Sequence, residues 1–267
     1  MSLAWFGHLW RANRWRVAIV AVALVIWGAI LPIVFDAFGA QFEALMDSGV
    51  IPPQMASFGG GDIFSLAGSV SLGFIHPISI GLMLVYAVGF SGAAIAGERQ
   101  RGTLEVLLAR PVSRRRLYAT SLVAAALFVG LSVLALTLGA FVGTAVVGRL
   151  PELVVGNLPV LWLNAALLFW AFAAISLAAS VSFDRLTPAI GVSLAIALVT
   201  YFFDVIGELW PDAAFLQVYS PFHYLDAPAA LSGLADPADF LVLAGIIAVA
   251  VGYALVVFPR RDLAAPS

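Results

Sequence analysis

The sequence has no cysteine and no lysine, and charged residues make up only 10% of it. Without cysteine there is no disulfide and no thiolate metal site. Without lysine there is no Schiff base and no Walker A loop, whose Gly-x-x-x-x-Gly-Lys-Ser/Thr pattern sets a lysine against the nucleotide phosphates. If such a chain draws on nucleotide energy, another chain must hold the nucleotide. The three histidines, His8, His76 and His223, are scattered, with no pair at metal-ligand spacing. No catalytic residue, metal or cofactor is expected in this chain, and no nucleic-acid partner.

What the chain has is apolar length. Hydrophobic residues make up 63% of it, with a mean hydropathy of +1.05, whereas soluble domains carry about 45–50% apolar and about 25% charged residues. The fold class read from this is an all-α membrane protein, with residues 1–267 as a single transmembrane domain. Six runs reach the roughly 20 residues that a bilayer requires: Val17–Phe35, Ile78–Ala96, Leu117–Val147, Pro159–Phe183, Pro188–Ile206 and Phe240–Phe258. The third is about 46 Å long at 1.5 Å per residue. It exceeds the apolar core of a bilayer and must tilt or project.

Arginine placement orients the runs. With the N-terminus, the 97–116 loop, the turn at 184–187 and the C-terminus in the cytoplasm, Arg149 alone of the 13 basic residues falls outside. Most of the 15 acidic residues fall on the outer side, between Asp36 and Asp239. The expectation is six spans with both termini cytoplasmic, in a plasma or inner membrane. No Ala-x-Ala-like cleavage site follows the first run before Pro32 and Asp36, so that run is read as a retained span. Before it, Leu3, Trp5, Phe6, Leu9 and Trp10 interleave with Arg11 and Arg14, the pattern of an amphipathic helix lying in the cytoplasmic interface. Two outer stretches are long. One, 36–65, has a flexible point at Gly59-Gly60-Gly61, and Ile63–Ile75 is apolar again, as a partial insertion or an early start to the second span. The other, 207–239, is rich in proline.

Charge is concentrated in one place. Residues 97–116 hold Arg99, Arg101, Arg110, Arg114, Arg115 and Arg116 between the second and third runs. Leu104, Leu107 and Leu108 recur at i, i+3, i+4, one face of a short helix. Glu98, Arg101 and Glu105 mark a different face, with Glu98 and Arg101 able to pair. Pro111 stops this helix, and Ser113 is a good N-cap for the next. An ordinary topology-setting loop accounts for Arg114–Arg116. It does not account for Glu98, Glu105 or the leucine face.

The string Gly97-Glu98-Arg99, Arg101-Gly102-Thr103-Leu104-Glu105-Val106-Leu107-Leu108 and Arg110-Pro111-Val112-Ser113-Arg114 resembles the signature of ABC-2 type transporter permeases. Beyond it the likeness is architectural, with Ser220-Pro221-Phe222 and Tyr224 similar to an element of that family's last outer loop. The resemblance implies that 97–110 is a coupling helix touching an ATP-binding subunit. The implied contact residues are Glu98, Arg101, Thr103, Leu104, Glu105, Leu107 and Leu108. It further implies two ATP-binding subunits, which hold ATP and Mg, and a second permease subunit, alike or different. The reading is the permease of an ATP-driven exporter. A membrane subunit that only anchors or regulates the ATPase would share the loop and lack a continuous path.

Other readings are weaker. Gly89-Phe90-Ser91-Gly92 matches the short motif of intramembrane serine proteases, but Ser91 lies at the opposite end of its span from His76 and His223. Gly139 and Gly143 form a Gly-x-x-x-Gly packing motif. Asn164, Ser176, Ser180 and Ser193 are read as bonding to neighbouring helices rather than lining a path. Asp204 is a weak pathway candidate at the outer end of its span, and Asp184-Arg185 reads as a turn and topology marker.

Overall fold

The computed structural model describes residues 2–48, 65–109 and 112–261. All regular structure among them is helical, as a backbone with no water to bond demands. Helix α1 runs over Leu3–Asp47, α2 over Leu66–Ile75 and α3 over Pro77–Ala93. Two short helices follow, α4 at Ala96–Gln100 and α5 at Thr103–Leu108. The long helices α6 (Arg114–Val146), α7 (Leu158–Ser182) and α8 (Leu186–Leu209) come next. Short 3-10 turns lead to α9 (Ala227–Ser232) and α10 (Pro237–Arg260). Among the described residues five helices, α1, α6, α7, α8 and α10, are long and apolar enough to cross a membrane, and α2 with α3 makes a sixth if the bent pair is one span.

The spine of the bundle is α1 laid alongside α6. Trp5, Leu9, Asn13, Val17, Val20 and Leu24 form one buried stripe on α1 at helical spacing. At one end Ser2 N donates to Thr120 Oγ1 (2.9 Å) and Trp5 Nε1 to Ser121 Oγ (3.1 Å). Midway the two backbones touch. A Cβ at Gly139 or Gly143 would collide with the carbonyl oxygens of Val25 and Ala29, and one at Gly28 with that of Leu136. The Gly-x-x-x-Gly motif is thus a packing seam, as small residues that admit a neighbouring backbone should be. The helix expected to lie by itself before the first span is instead the first turns of α1, unbroken through Arg11–Arg16. The same helix continues past Asp36, where an outer loop was expected, to Asp47.

The second span starts early, at Leu66, and is bent by 41° between α2 and α3. Pro77 supplies no N–H at the bend, and His76 fills the gap. Its Nδ1 accepts from Ile78 N (3.2 Å), while its own N donates to Leu72 O (3.0 Å). Within α3, Val85–Phe90 widens into a π-turn. Such a turn frees backbone carbonyls, and α7 supplies partners. Ser176 Oγ donates to Val88 O (3.0 Å) and Ser180 Oγ to Gly92 O (2.7 Å), while Ser180 Oγ accepts from Ala96 N (2.9 Å). Asn164 Nδ2 donates to Tyr224 O, and Ser193 bonds within its own helix. Of the four polar residues read as bonding to neighbouring helices, Ser176 and Ser180 do so, Asn164 bonds to a 3-10 turn and Ser193 to its own helix. Helix α7 is the most enclosed, and α8 buries only a narrow stripe of Ala189, Ser193 and Ala197 with Gly207. The readings at Gly59–Gly61 and Pro111 lie outside the described residues.

Candidate functional site

The charged loop folds as two short helices rather than one. Gly102 separates α4 from α5 with φ +71, a conformation that costs a residue with a Cβ about 1–2 kcal/mol. The turn breaks the single helix face on which Glu98, Arg101 and Glu105 were expected to lie. Glu98 faces inward along the turn: its carboxylate pairs with Arg101 and accepts from Thr103 Oγ1 (2.6 Å). Thr103 Oγ1 also donates to Glu98 O (3.0 Å). The pair read from the sequence is present, and it serves to close the turn. Ser113 caps α6 as expected, with its Oγ accepting from Arg116 N.

Helix α5 has a clear inside and outside. Leu104 is 1% exposed and anchors it, with Leu107 and Leu108 half-buried against the core. Arg101, Thr103, Glu105 and Val106 are exposed, Val106 at 65%. Sequence reading missed Val106. It lies two residues from Leu104, which puts it across the helix from the anchor, and its apolar side chain is offered outward. Beside it a groove of about 490 Å³ opens between α5 and the first turns of α1. Trp5, His8 and Arg11 line one wall, and Glu98, Thr103 and Val106 the other.

The loop is also fastened to distant parts of the chain. Asp184, between α7 and α8, receives Arg99 Nη1 (2.7 Å) from α4 and Arg261 from just beyond α10. Arg261 Nη1 donates further to Val181 O (2.9 Å). Gln100 Oε1 accepts from Leu186 N (2.9 Å), at the start of α8. Arg114 Nη1 donates to Phe258 O, Pro259 O and Arg261 O, at 3.2, 3.3 and 2.6 Å. Those of Phe258 and Pro259 lie in the last turn of α10, where carbonyls lack a partner within the helix, and that of Arg261 lies just past it. Asp184, read as a turn marker, is the point where three segments meet.

At the opposite end, Asp204 and Glu208 line a cavity of about 190 Å³ with Tyr201, Gln217, Phe222 and His223. Ser91 is fully buried and bonds to Tyr86 O, and among the described residues no histidine bonds to it. A serine nucleophile with its base is not assembled.

Comparison with curated proteins gives no match. The family described as "ABC-2 family transporter protein" matches residues 12–263, a stretch that includes the two-helix loop and runs from within α1 through α10. The protein is a multi-pass membrane protein, and the chain belongs to the ABC-2 transporter family.

Proposed function

We propose that this chain is the membrane-spanning permease subunit of an ATP-driven exporter, and that α4 and α5 are its coupling element. The observation that carries this reading is the split of α5 into a buried leucine anchor and an exposed face of Thr103, Glu105 and Val106, with Arg101 exposed in the turn before it. A loop that only set topology would need no such face. Two ATP-binding subunits, which hold ATP and Mg, press on that face from the cytoplasm, where both termini lie. Glu98, Leu104, Leu107 and Leu108 hold the element in shape, with Leu107 also reaching the groove beside α1. A second permease subunit, of the same or another sequence, completes the transporter in a plasma or inner membrane.

Movement of the coupling element leaves it by two routes. One is covalent, into α3 and α6. The other runs through Arg99 and Gln100 to Asp184 and Leu186, and so to α7, α8 and α10. Charge reversal at Glu105, which is exposed and away from the Glu98 turn, isolates the contact from the fold. Glu105→Arg is expected to leave the melting temperature of the purified chain unchanged. It should lower transport-coupled ATPase activity about tenfold or abolish co-purification of the ATPase. Charge reversal at both Glu98 and Glu105 is expected to do more. Full coupled activity in that double variant would sink the assignment. An ATPase that binds through this face and never responds to any transported compound would instead make the chain an anchoring subunit.

A further inference from the structure

An apolar groove of about 550 Å³ runs between α7 and α10. Its floor is Ala178 and Ala250, both buried, and its sides are Ile175 and Ile246. A Cβ added at Gly245 would meet nothing within 4 Å, so the groove is open there. At its other end stands Tyr253. Ser182 Oγ donates to Ala178 O (2.7 Å) and lies 3.0 Å from Tyr253 Oη, which leaves the tyrosine as donor in that pair. The bond fixes the ring, 50% exposed, at that margin of the groove.

Along α10, Tyr253, Val257 and Arg260 follow at i, i+4 and i+7, so Arg260 lies on the groove's face. Helical side chains lean toward the N-terminus of their helix, which directs the Arg260 guanidinium back toward Tyr253. Arg260 is exposed and makes no ion pair among the described residues. The charge around it is lopsided. Asp184 is already shared by Arg99 and Arg261, and Arg185 stands next to it. Two helical turns beyond Tyr253, the groove's face of α10 is therefore positive among the described residues.

The length fits a lipid. Gly245 to Arg260 spans fifteen residues, about 22 Å at 1.5 Å per residue. Half a bilayer, headgroup region included, is about 20–22 Å. We infer that this groove binds a phospholipid with an anionic headgroup, its acyl chain over Ala178 and Ala250 and its phosphate at Arg260. A basic site between membrane helices is where anionic headgroups bind. The inference needs only that the chain crosses a bilayer, and it stands whether or not an ATPase couples to the loop.

The test is lipid retention by the full chain, purified in a neutral detergent and read by native mass spectrometry after adding phosphatidylglycerol or phosphatidylcholine. Wild type should retain phosphatidylglycerol about fivefold better, the effect of one arginine near an anionic headgroup. Arg260→Gln should remove most of that preference while keeping the chain contact. Val249 sits on the groove's rim and is 75% exposed, so Val249→Trp covers the groove without entering the packed core. It should lower retention of both lipids, with an unchanged melting temperature in lipid-free micelles. Equal retention of the two lipids by wild type, or an undiminished preference in Arg260→Gln, would overturn the headgroup assignment. Undiminished phosphatidylglycerol retention by Val249→Trp would overturn the groove. The sequence has no native cysteine, so Val249→Cys offers a clean crosslinking control. Crosslinked pairs in vesicles would assign the groove to a second copy of the chain and overturn the lipid.

Discussion

The two ends of the bundle use charge in mirror-image ways. At one end, among the described residues, one carboxylate, Asp184, lies between two guanidiniums, Arg99 and Arg261. At the other a single guanidinium, Arg149, lies between two carboxylates, Asp36 at 2.8 Å and Glu152 at 3.6 Å. The environments differ. The Arg99 side chain is 10% exposed and Arg261 25%, with Asp184 itself at 54%, whereas the side chain of Arg149 is at 37%. A guanidinium out of water must keep its partner, and a solvated one loses little without it. The first cluster also joins three remote segments, while Glu152 is only a neighbour of Arg149 in sequence. Similar charge arithmetic thus yields a junction at one end and a light clasp at the other.

Substitutions at four positions probe that contrast, from the largest expected effect down. Gly143→Val strikes the seam that serves both ends. It forces a side chain against the Ala29 backbone, which cannot step aside, and should cost about 3 kcal/mol or leave no folded chain in a detergent melt. Asp184→Ala should cost about 2 kcal/mol, because the charge-assisted bonds to Arg99 and Arg261 are both lost. Asp184→Asn, which keeps an acceptor, should cost about half as much. Gly102→Ala strains the left-handed turn and should cost about 1 kcal/mol, with a larger effect on ATPase coupling than on melting. Arg149→Gln should cost under about 1 kcal/mol and become indistinguishable from wild type in high salt, where exposed pairs are screened. If Arg149→Gln destabilises as much as Asp184→Ala, the contrast between junction and clasp fails.

Most of the architecture could be read from apolar length, because a bilayer sets the minimum length of a span and leaves little choice of element. The Gly139–Gly143 seam was legible for the same kind of reason: spacing on one helix shows a smooth face. Its partner at Gly28 was not, since no local pattern says which backbone arrives. The two-helix loop was misread because Gly102 was counted as one more helical position, although glycine is the residue that most readily takes positive φ. The contacts of Asp184 depend on residues some 80 positions away, and only the folded chain brings them together. Helix α1 was cut short at both ends because Arg11–Arg16 and Asp36 were taken as membrane boundaries. A helix sustained by packing against α6 passes through both.

The pairing of α1 with α6 limits how the protein can move. The two helices run in the same direction and are fixed at Thr120 and Ser121, again at the glycines, and again where Asp36 meets Arg149. Two rods pinned at three points along their length behave as a single beam. Such a beam resists sliding and bending, so a change of shape in the bundle must be taken up elsewhere. The compliant parts are the bend at His76, the π-turn in α3 and the lightly seated α8. In engineering terms, α1 and α6 are the chassis, and a transport cycle would move the rest of the bundle against it.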